Sequence, residues 1–213
     1  MTSTAQVAQL SRFYVSGTPG TSISITAISK AVAAVVTAAN TLAVGDVVIF
    51  GTVTNMPEIL GLIGIVSAAT GSSFTAGNID SSGFASAGTS GAAVPQTFSK
   101  VGNVQDFTPD GGTATVIDVT NMDSAAKEKR QGLQDNGNYS LTFDADDTDV
   151  GQLRLLAARA AQSVAVFKQV YPGGLKIRAW QGFVQKVTEP VAGVDKVLRC
   201  SATIVVTGPI ARG

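Results

Sequence analysis

The 213-residue chain contains no histidine and a single cysteine, Cys200. The absence of histidine excludes Ser-His-Asp and Cys-His catalytic groups, histidine general bases and every metal site with an imidazole ligand. One cysteine cannot form an internal disulfide or an all-cysteine zinc site, and the alternating residues around Cys200 predict a buried strand position. We therefore expect a protein that is not an enzyme and that holds no metal or cofactor.

Charge and long apolar runs are also scarce. Only 14% of the residues are charged, and 15 basic and 15 acidic side chains give a formal net charge of zero, whereas about 25% charged residues is usual. Such a chain is not a general nucleic-acid binder, because it has no excess of basic side chains to neutralise phosphates and release their counterions. Its surface is better suited to burial against a partner. The longest nearly apolar stretch, residues 31–39, is far shorter than the ~20 residues that span a bilayer. Because the N-terminus also lacks the features of a signal peptide, we expect a soluble protein made in a cytoplasm, without membrane insertion.

The charges that are present divide the chain into two parts. The low-charge segment, residues 21–97, contains only these charged residues: Lys30, Asp46, Glu58 and Asp80. Gly- and Ser-rich stretches flank it, and short β-prone runs inside it are separated by Gly, Asn and Pro, which favours a small all-β module. We predict that residues 21–91 form an inserted module and that residues 1–20 and 92–213 form a discontinuous host domain.

The host domain is predicted to be mainly β with one helix. Asp146, Asp147 and Asp149 cluster where carboxylates suit a helix start. Apolar residues then recur at spacings of mostly three and four, which is typical of a helix face that packs on a core: Val150, Leu153, Ala157, Ala160, Ala161 and Val164. The acidic run does not fit an EF-hand, since Asp149 and Leu155 stand where that loop needs Gly and Glu. One helix among several strands indicates a β-sandwich or barrel with a single packed helix.

A polar segment without an apolar period covers residues 121–138. Loops longer than about 12–15 residues are usually functional or disordered. Its charged side chains could complement those of a neighbouring molecule: Asp123, Lys127, Glu128, Lys129, Arg130 and Asp135. Two interpretations stay open, a solvated surface loop and a partner-binding loop.

Several motifs follow one another in the second half of the chain. They are IDVTNMDS (117–124), GLQDNG (132–137), LTFD (141–144), DVGQL (149–153), WQGFV (180–184) and ATIVVTG (202–208). In order and spacing this set resembles the tail tube (major tail) proteins of long-tailed, non-contractile bacteriophages, over about residues 98–210 and the first 20. The segments GDVVI (45–49) and VTNMPEILG (53–61) resemble a small β-module that recurs in phage structural proteins.

The resemblance implies a tail-tube fold, a β-sandwich or split barrel with one packed helix. It also implies a structural virion protein of the phage tail, synthesised in the host bacterial cytoplasm. In that family hexameric rings stack into a hollow tube, and sheets of neighbouring subunits join edge to edge. The implied partners are other copies of the chain, a tape-measure protein and tail-tip and terminator proteins, while DNA transits the lumen during genome ejection without specific binding.

The resemblance also assigns residues to surfaces of the tube. The long loop of the family contacts the adjacent ring, so the six charged residues of the polar segment become candidate inter-ring residues. A wall that conducts DNA must not hold phosphates, so Asp118 and Asp144 are candidate lumen acids. Which strand parity faces the lumen stays open. Since the inserted module does not suit the inside of a conduit, we expect it to decorate the outside.

Two other classes of function stay open. A β-sandwich adhesin or carbohydrate-binding module would use exposed aromatic side chains, which the aromatic share of 6% disfavours. A tube protein of a bacterial secretion system or of a tail-like bacteriocin would share the fold.

Overall fold

The computed structural model describes residues 11–173, 176–188 and 197–213. Residues 1–10 of the predicted host domain therefore lie outside the described residues. The protein is mainly β, with 49% strand and 7% helix, which confirms the predicted fold class. The elements are β1 (Arg12–Ser16), β2 (Ile23–Ile25), β3 (Ala27–Ile28), β4 (Ala34–Thr37), β5 (Val47–Thr54), β6 (Ile63–Thr70), β7 (Ser73–Ala76), β8 (Ser90–Pro95), β9 (Phe98–Lys100), β10 (Val104–Pro109), β11 (Ala114–Asp118), β12 (Lys129–Gln134), β13 (Asn138–Asp144), α1 (Val150–Ala160), β14 (Ala165–Val170), β15 (Ile177–Val187), β16 (Arg199–Val206) and β17 (Ala211–Arg212).

The main sheet has eight strands in the order β10-β13-β16-β15-β14-β1-β9, with β17 paired to β15. Its neighbouring strands are antiparallel. The ring of Phe107 on β10 lies 5.2 Å from that of Phe13 on β1, centroid to centroid, although four strands separate β10 from β1 in the sheet. The sheet therefore curls around its own core without closing into a barrel. Trp180, fully buried, stacks on Tyr139 at 4.3 Å between ring centroids in that core.

The second sheet has seven strands in the order β2-β8-β5-β6-β7-β4-β3. It has its own core, in which Phe50 stacks on Phe74 at 6.4 Å between ring centroids. One face of this sheet packs on the outer side of the main sheet. There Ile63 and Ile65 of β6 share a buried cluster with Val166 of β14 and Ala179 of β15. The two sheets are thus joined by a small apolar interface.

The chain passes between the two sheets at two adjacent crossings. The N–H of Gly17 donates to the carbonyl of Thr97 at 2.9 Å, and the N–H of Gly20 donates to that of Pro95 at 2.8 Å. Strand β8 belongs to the second sheet through residue 95, so the predicted boundary after residue 91 falls within it. The chain leaves and re-enters the main sheet at almost the same place.

Helix α1 begins where the acidic cluster predicted it. Asp149 is the N-cap, and its Oδ1 accepts the N–H of Gln152 at 2.8 Å. The predicted apolar face is wrong, because Gly151, Gln152 and Leu155 are the buried residues of the helix. The helix packs through this side because Gly151 lies against the carbonyl of Lys100, where a Cβ would not fit. The stripe of apolar residues is real but faces outward.

Candidate assembly surfaces

Strands β11 and β12 form a projecting arm, which we define as residues 113–135. Within the described residues the two strands pair only with each other, with Ala114 opposite Gln134 and Asp118 opposite Lys129. The polar segment over residues 121–138, predicted to be a loop, is strand at residues 129–134, and its last residue, Asn138, begins β13. The sequence missed this strand because neither of its faces is buried, so no apolar period marks it.

The base of the arm is a tight neck formed by two glycines. Gly112 and Gly137 have φ of 64° and 78°, a region that residues with a Cβ rarely adopt. A Cβ on Gly112 would also overlap the carbonyl of Asp135, and one on Gly137 would overlap that of Asp110. The N–H of Asp110 donates to the carbonyl of Asn138 at 2.7 Å. The arm is therefore a hairpin with a defined base, and it lies in the connection from β10 to β13.

The predicted inter-ring residues occupy both ends of the arm. Asp123, Lys127 and Glu128 lie in the connection at the far end, and Lys129 and Arg130 begin β12 beside it. Asp135 instead lies at the neck, where its Oδ1 accepts the N–H of Gly137 at 3.0 Å. The structure thus brings the basic residues together and separates Asp135 from them.

The arm also exposes apolar side chains that sequence reasoning did not select. Val116 is 66% exposed and Leu133 is 89% exposed. Val116 pairs with Gln131, and the register then shifts before the pair of Ala114 with Gln134, next to Leu133. Met122 is fully exposed at the far end. Ile117, which follows Val116 and therefore points to the other face of β11, is 51% exposed, so the arm is a two-stranded ribbon with uncovered apolar side chains.

Asp118 has a local structural role at the end of β11. Hydrogen bonds from the hydroxyl and the N–H of Thr120 hold the pKa of Asp118 below its usual value, and the N–H contact to Oδ1 measures 2.9 Å. The carboxylate thus stabilises the turn into the connection of the arm. The two candidate lumen acids are not brought together, since Asp118 lies on the arm and Asp144 on the main sheet.

The main sheet presents a face of hydroxyl side chains to solvent on β13 and β16. Tyr139, Leu141 and Phe143 point into the core, and the alternate residues of β13 point the other way. Ser140 lies opposite Thr203, and Thr142 lies opposite Ser201. We call these four residues, Ser140, Thr142, Ser201 and Thr203, the hydroxyl face. Its surface is polar and carries no charge of its own.

Asp144 and Arg199 lie at one end of the hydroxyl face. Arg199 Nε donates to Asp144 Oδ1 at 2.9 Å, and Gln105 Nε2 donates to Asp144 Oδ2 at 2.7 Å. The charge of Asp144 is therefore balanced locally. Asp106 and Thr108 of β10 lie opposite Thr142 and Ser140 and extend the same face to the edge of the sheet.

Among the residues that the structure describes, strand β10 pairs with β13 on one side and with no strand on the other, so it is an open edge of the main sheet there. An unpaired strand edge is a template for joining another strand. The N–H of Phe107 donates to Asp106 Oδ1 at 2.8 Å, so a side chain occupies a donor that a neighbouring strand could use. A neighbouring strand can pair with this edge once one of its carbonyl groups replaces Asp106 Oδ1 as the acceptor of that N–H.

Metal-binding clusters and membrane-spanning helices are absent from the described residues. No group of three or more His, Cys, Asp or Glu side chains is placed there to hold a metal ion. No helix among those residues has the length and apolar composition needed to cross a bilayer.

An open sheet edge, a projecting arm and an outward apolar helix face are the features expected of a structural subunit that assembles with neighbouring molecules. Comparison with protein families shows which kind of structural subunit this is. Residues 55–213, well over half of the chain, match the family model described as phage tail tube protein, TTP. The chain belongs to this family, and it is therefore a structural component of a phage tail that assembles into a tube with other tail proteins. The match begins within the second sheet, and no curated protein matches the chain.

Proposed function

We propose that the protein forms hexameric rings that stack into the hollow tail tube through which the phage genome is ejected. The open edge of β10 carries the proposal. Joining this edge to a neighbour would remove an exposed strand edge and extend the main sheet around a ring. Because the stack is head-to-tail, each ring would leave a surface on which the next can add.

The hydroxyl face is our candidate for the lumen wall. It lies on β13 and β16, next to the edge strand β10, so joining edges would make it continuous around the ring. Hydroxyl groups without net charge would neither hold nor strongly repel the phosphates of passing DNA. Asp144 stays a candidate lumen acid, with its charge balanced by Arg199, whereas Asp118 belongs to the arm.

The arm is our candidate for the contact between rings, through Asp123, Lys127, Glu128, Lys129 and Arg130. An isolated two-stranded hairpin is marginally stable in water, so a partner would help to hold the arm in place. The second sheet, which packs on another part of the main sheet, would decorate the outside. A tape-measure protein and tail-tip and terminator proteins would be further partners, and synthesis would take place in the host bacterial cytoplasm.

Electron cryo-microscopy of the purified protein tests the proposal. We expect hollow tubes with sixfold symmetry, formed by the protein alone or after addition of tail tips as initiators. Monomers under both conditions would overturn the proposal. A tube without sixfold symmetry would overturn the hexameric ring. A map in which the hydroxyl face points away from the channel would overturn the lumen assignment.

A charge substitution tests the lumen in the virion. Ser140→Lys would add positive charge to the channel, and we expect tubes to assemble but triggered DNA ejection to slow because phosphates are retained. Ser86→Lys is the matched control, since Ser86 is exposed on the segment that carries the second sheet. Equal ejection rates for the two variants would contradict the assignment.

A further inference from the structure

The outward face of helix α1 is apolar along its length. Val150 is 56% exposed, Leu153 is 47% exposed and Leu156 is 44% exposed, while Leu155 on the opposite side is fully buried. Ala157 and Ala160 continue the exposed face. We call these residues, Val150, Leu153, Leu156, Ala157 and Ala160, the outer helix face. A helix normally turns its apolar stripe toward a core, so this face calls for a covering partner.

The arm also carries exposed apolar side chains, which suit packing on the outer helix face. Val116 and Leu133, on the two paired strands of the arm, are largely exposed. Packing these side chains on the outer helix face would bury apolar area on both sides, which favours association.

Charges near the two surfaces are complementary. The far end of the arm carries Lys127, Lys129 and Arg130 together with Asp123 and Glu128, and three basic against two acidic side chains leave an excess of one positive charge. The segment that enters α1 carries Asp146 and Asp147. Hydrogen bonds from the hydroxyl and the N–H of Thr148 hold the pKa of Asp146 below its usual value, so this carboxylate is ionised at neutral pH. Opposite charges at the two ends of a contact fix its register and orientation.

The arm and the helix start leave the main sheet at opposite ends of one strand. The neck of the arm adjoins Asn138, where β13 begins, and the segment leading to α1 follows Asp144, where β13 ends. The strand has 7 residues, which span about 20 Å at 3.3 Å per residue. A subunit of this shape presents the arm at one end and the outer helix face toward the other.

We propose that the arm of one copy packs on the outer helix face of a copy in the adjacent ring, with its basic end against Asp146 and Asp147. The proposal rests on the proposed function, since it needs stacked rings. It specifies the partner surface of the inter-ring contact as a segment of a second copy of this chain. Repeated along the stack, the contact is heterologous and propagates without closing.

A charge exchange tests the contact, with wild-type tubes as the reference. We expect Arg130→Glu and Asp147→Lys each to lower the yield of tubes at least about tenfold, the effect of roughly 1.4 kcal/mol. The double variant should recover tubes, because each copy supplies both sides of the contact. Lys30→Glu is the control, since it reverses a charge on the second-sheet segment, and it should assemble as the wild type does. Normal assembly of either single variant, or failure of the double variant, overturns the proposal.

Cross-linking supplies an independent measurement. Leu133→Cys and Leu153→Cys are combined in a Cys200→Ala background, and assembled tubes are treated with a short bismaleimide. We expect a covalent ladder on denaturing gels from the double-cysteine protein and no ladder from either single-cysteine protein. Tubes that give no ladder, or an equal ladder from one single variant, overturn the docking. Failure of the wild type to form tubes would instead overturn the proposed function.

Discussion

Gln152 joins the start of helix α1 to two neighbouring segments. Its side chain accepts the N–H of Asp146 at 2.9 Å and donates to the carbonyls of Asp144 at 2.9 Å and Gly102 at 3.3 Å. The residue is 5% exposed, so these backbone groups have little access to water. A polar residue at a buried helix position is thus explained by the backbone groups it satisfies.

Gln152→Ala is expected to lower the free energy of unfolding by about 2–3 kcal/mol, because buried backbone groups lose their partners. Urea denaturation followed by circular dichroism measures the change. Gln131→Ala on the exposed strand β12 is the control and should stay within about 0.5 kcal/mol of the wild type. Equal losses in the two variants would contradict this role of Gln152.

Lys168 of β14 lies between two aromatic rings near the boundary of the sheets. Its Nζ is 4.4 Å from the ring centroid of Phe98 and 5.2 Å from that of Tyr14. Burial lowers the pKa of Lys168, and the charge of Asp46 opposes this shift only in part. The charged form therefore costs stability in the folded protein.

Because the pKa of Lys168 is lowered, we expect the unfolding free energy of the wild type, measured relative to that of Lys168→Met, to rise with pH. The folded protein releases this proton at a lower pH than the unfolded chain does, so the cost is full below the folded pKa. It disappears as the pH rises through the folded pKa toward the ordinary value of 10.5. Urea denaturation at neutral pH and just below pH 10.5 should show the difference in unfolding free energy shifting in favour of the wild type. Burial raises the pKa of Tyr139, but this effect is present in both proteins and cancels. A constant difference would refute the prediction.

At the scale of elements, helix α1 shows why an apolar stripe does not identify its partner. The stripe of Val150, Leu153 and Leu156 has the spacing expected of a core-facing surface, but the described chain leaves it uncovered. The side that packs inward contains Gly151, whose missing side chain lets the helix approach the backbone of Lys100 and Val101. Close approach, rather than apolar content, selected the buried side.

Gly151→Ala is expected to lower the free energy of unfolding by about 1–3 kcal/mol through overpacking. Alanine favours helix over glycine by about 1 kcal/mol, so a net loss can only come from the contact with Lys100. Gly83→Ala is the control, because a Cβ at Gly83 would meet no atom within 4 Å. Urea denaturation of both variants tests the prediction, and a stabilised Gly151→Ala protein would contradict it.

At the scale of the whole molecule, the second sheet is attached by two adjacent crossings and one apolar interface. The hydroxyl of Thr97 donates to the carbonyl of Thr18 at 2.6 Å, so the chain could be closed there by a short linker. Removal of the second sheet would expose Val166, Ile177 and Ala179 of the main sheet.

We expect the main sheet to fold after residues 19–96 are replaced by a short Gly-Ser linker. The exposed interface should cause aggregation, because it is an apolar patch. Adding Val166→Thr and Ile177→Thr should give a dispersed protein whose tubes are thinner outside and have an unchanged channel. Circular dichroism measures folding, light scattering measures aggregation, and electron microscopy measures the outer and inner dimensions of the tubes. Failure of the threonine version to fold would show that the second sheet is part of one folding unit.

Local patterns were sufficient for several features of the fold. The mainly β class follows from β-prone runs between turn residues, and the start of α1 at Asp149 follows from the carboxylates that precede it. The buried position of Cys200 follows from strand alternation. Strand β12 was missed because a strand with two exposed faces carries no period-2 signal. The exposed residue Leu133 was missed because its sequence neighbours are Gly132 and Gln134, and Val116 was missed because the pair Val116-Ile117 looks like part of an ordinary buried strand.

The sequence by itself determined the absence of histidine chemistry and the mainly β fold, because composition and short-range spacing carry those properties, and its ordered motifs carry the resemblance to tail tube proteins. Only the tertiary structure decided which side of α1 is buried, that the hydroxyl residues of β13 and β16 lie side by side on one face, and that residues 113–135 project as an arm. The physical reason is that each of these depends on contacts between segments distant in the chain. The close approach of Gly151 to Lys100 and the pairing of β13 with β16 are such contacts, and no local pattern encodes them.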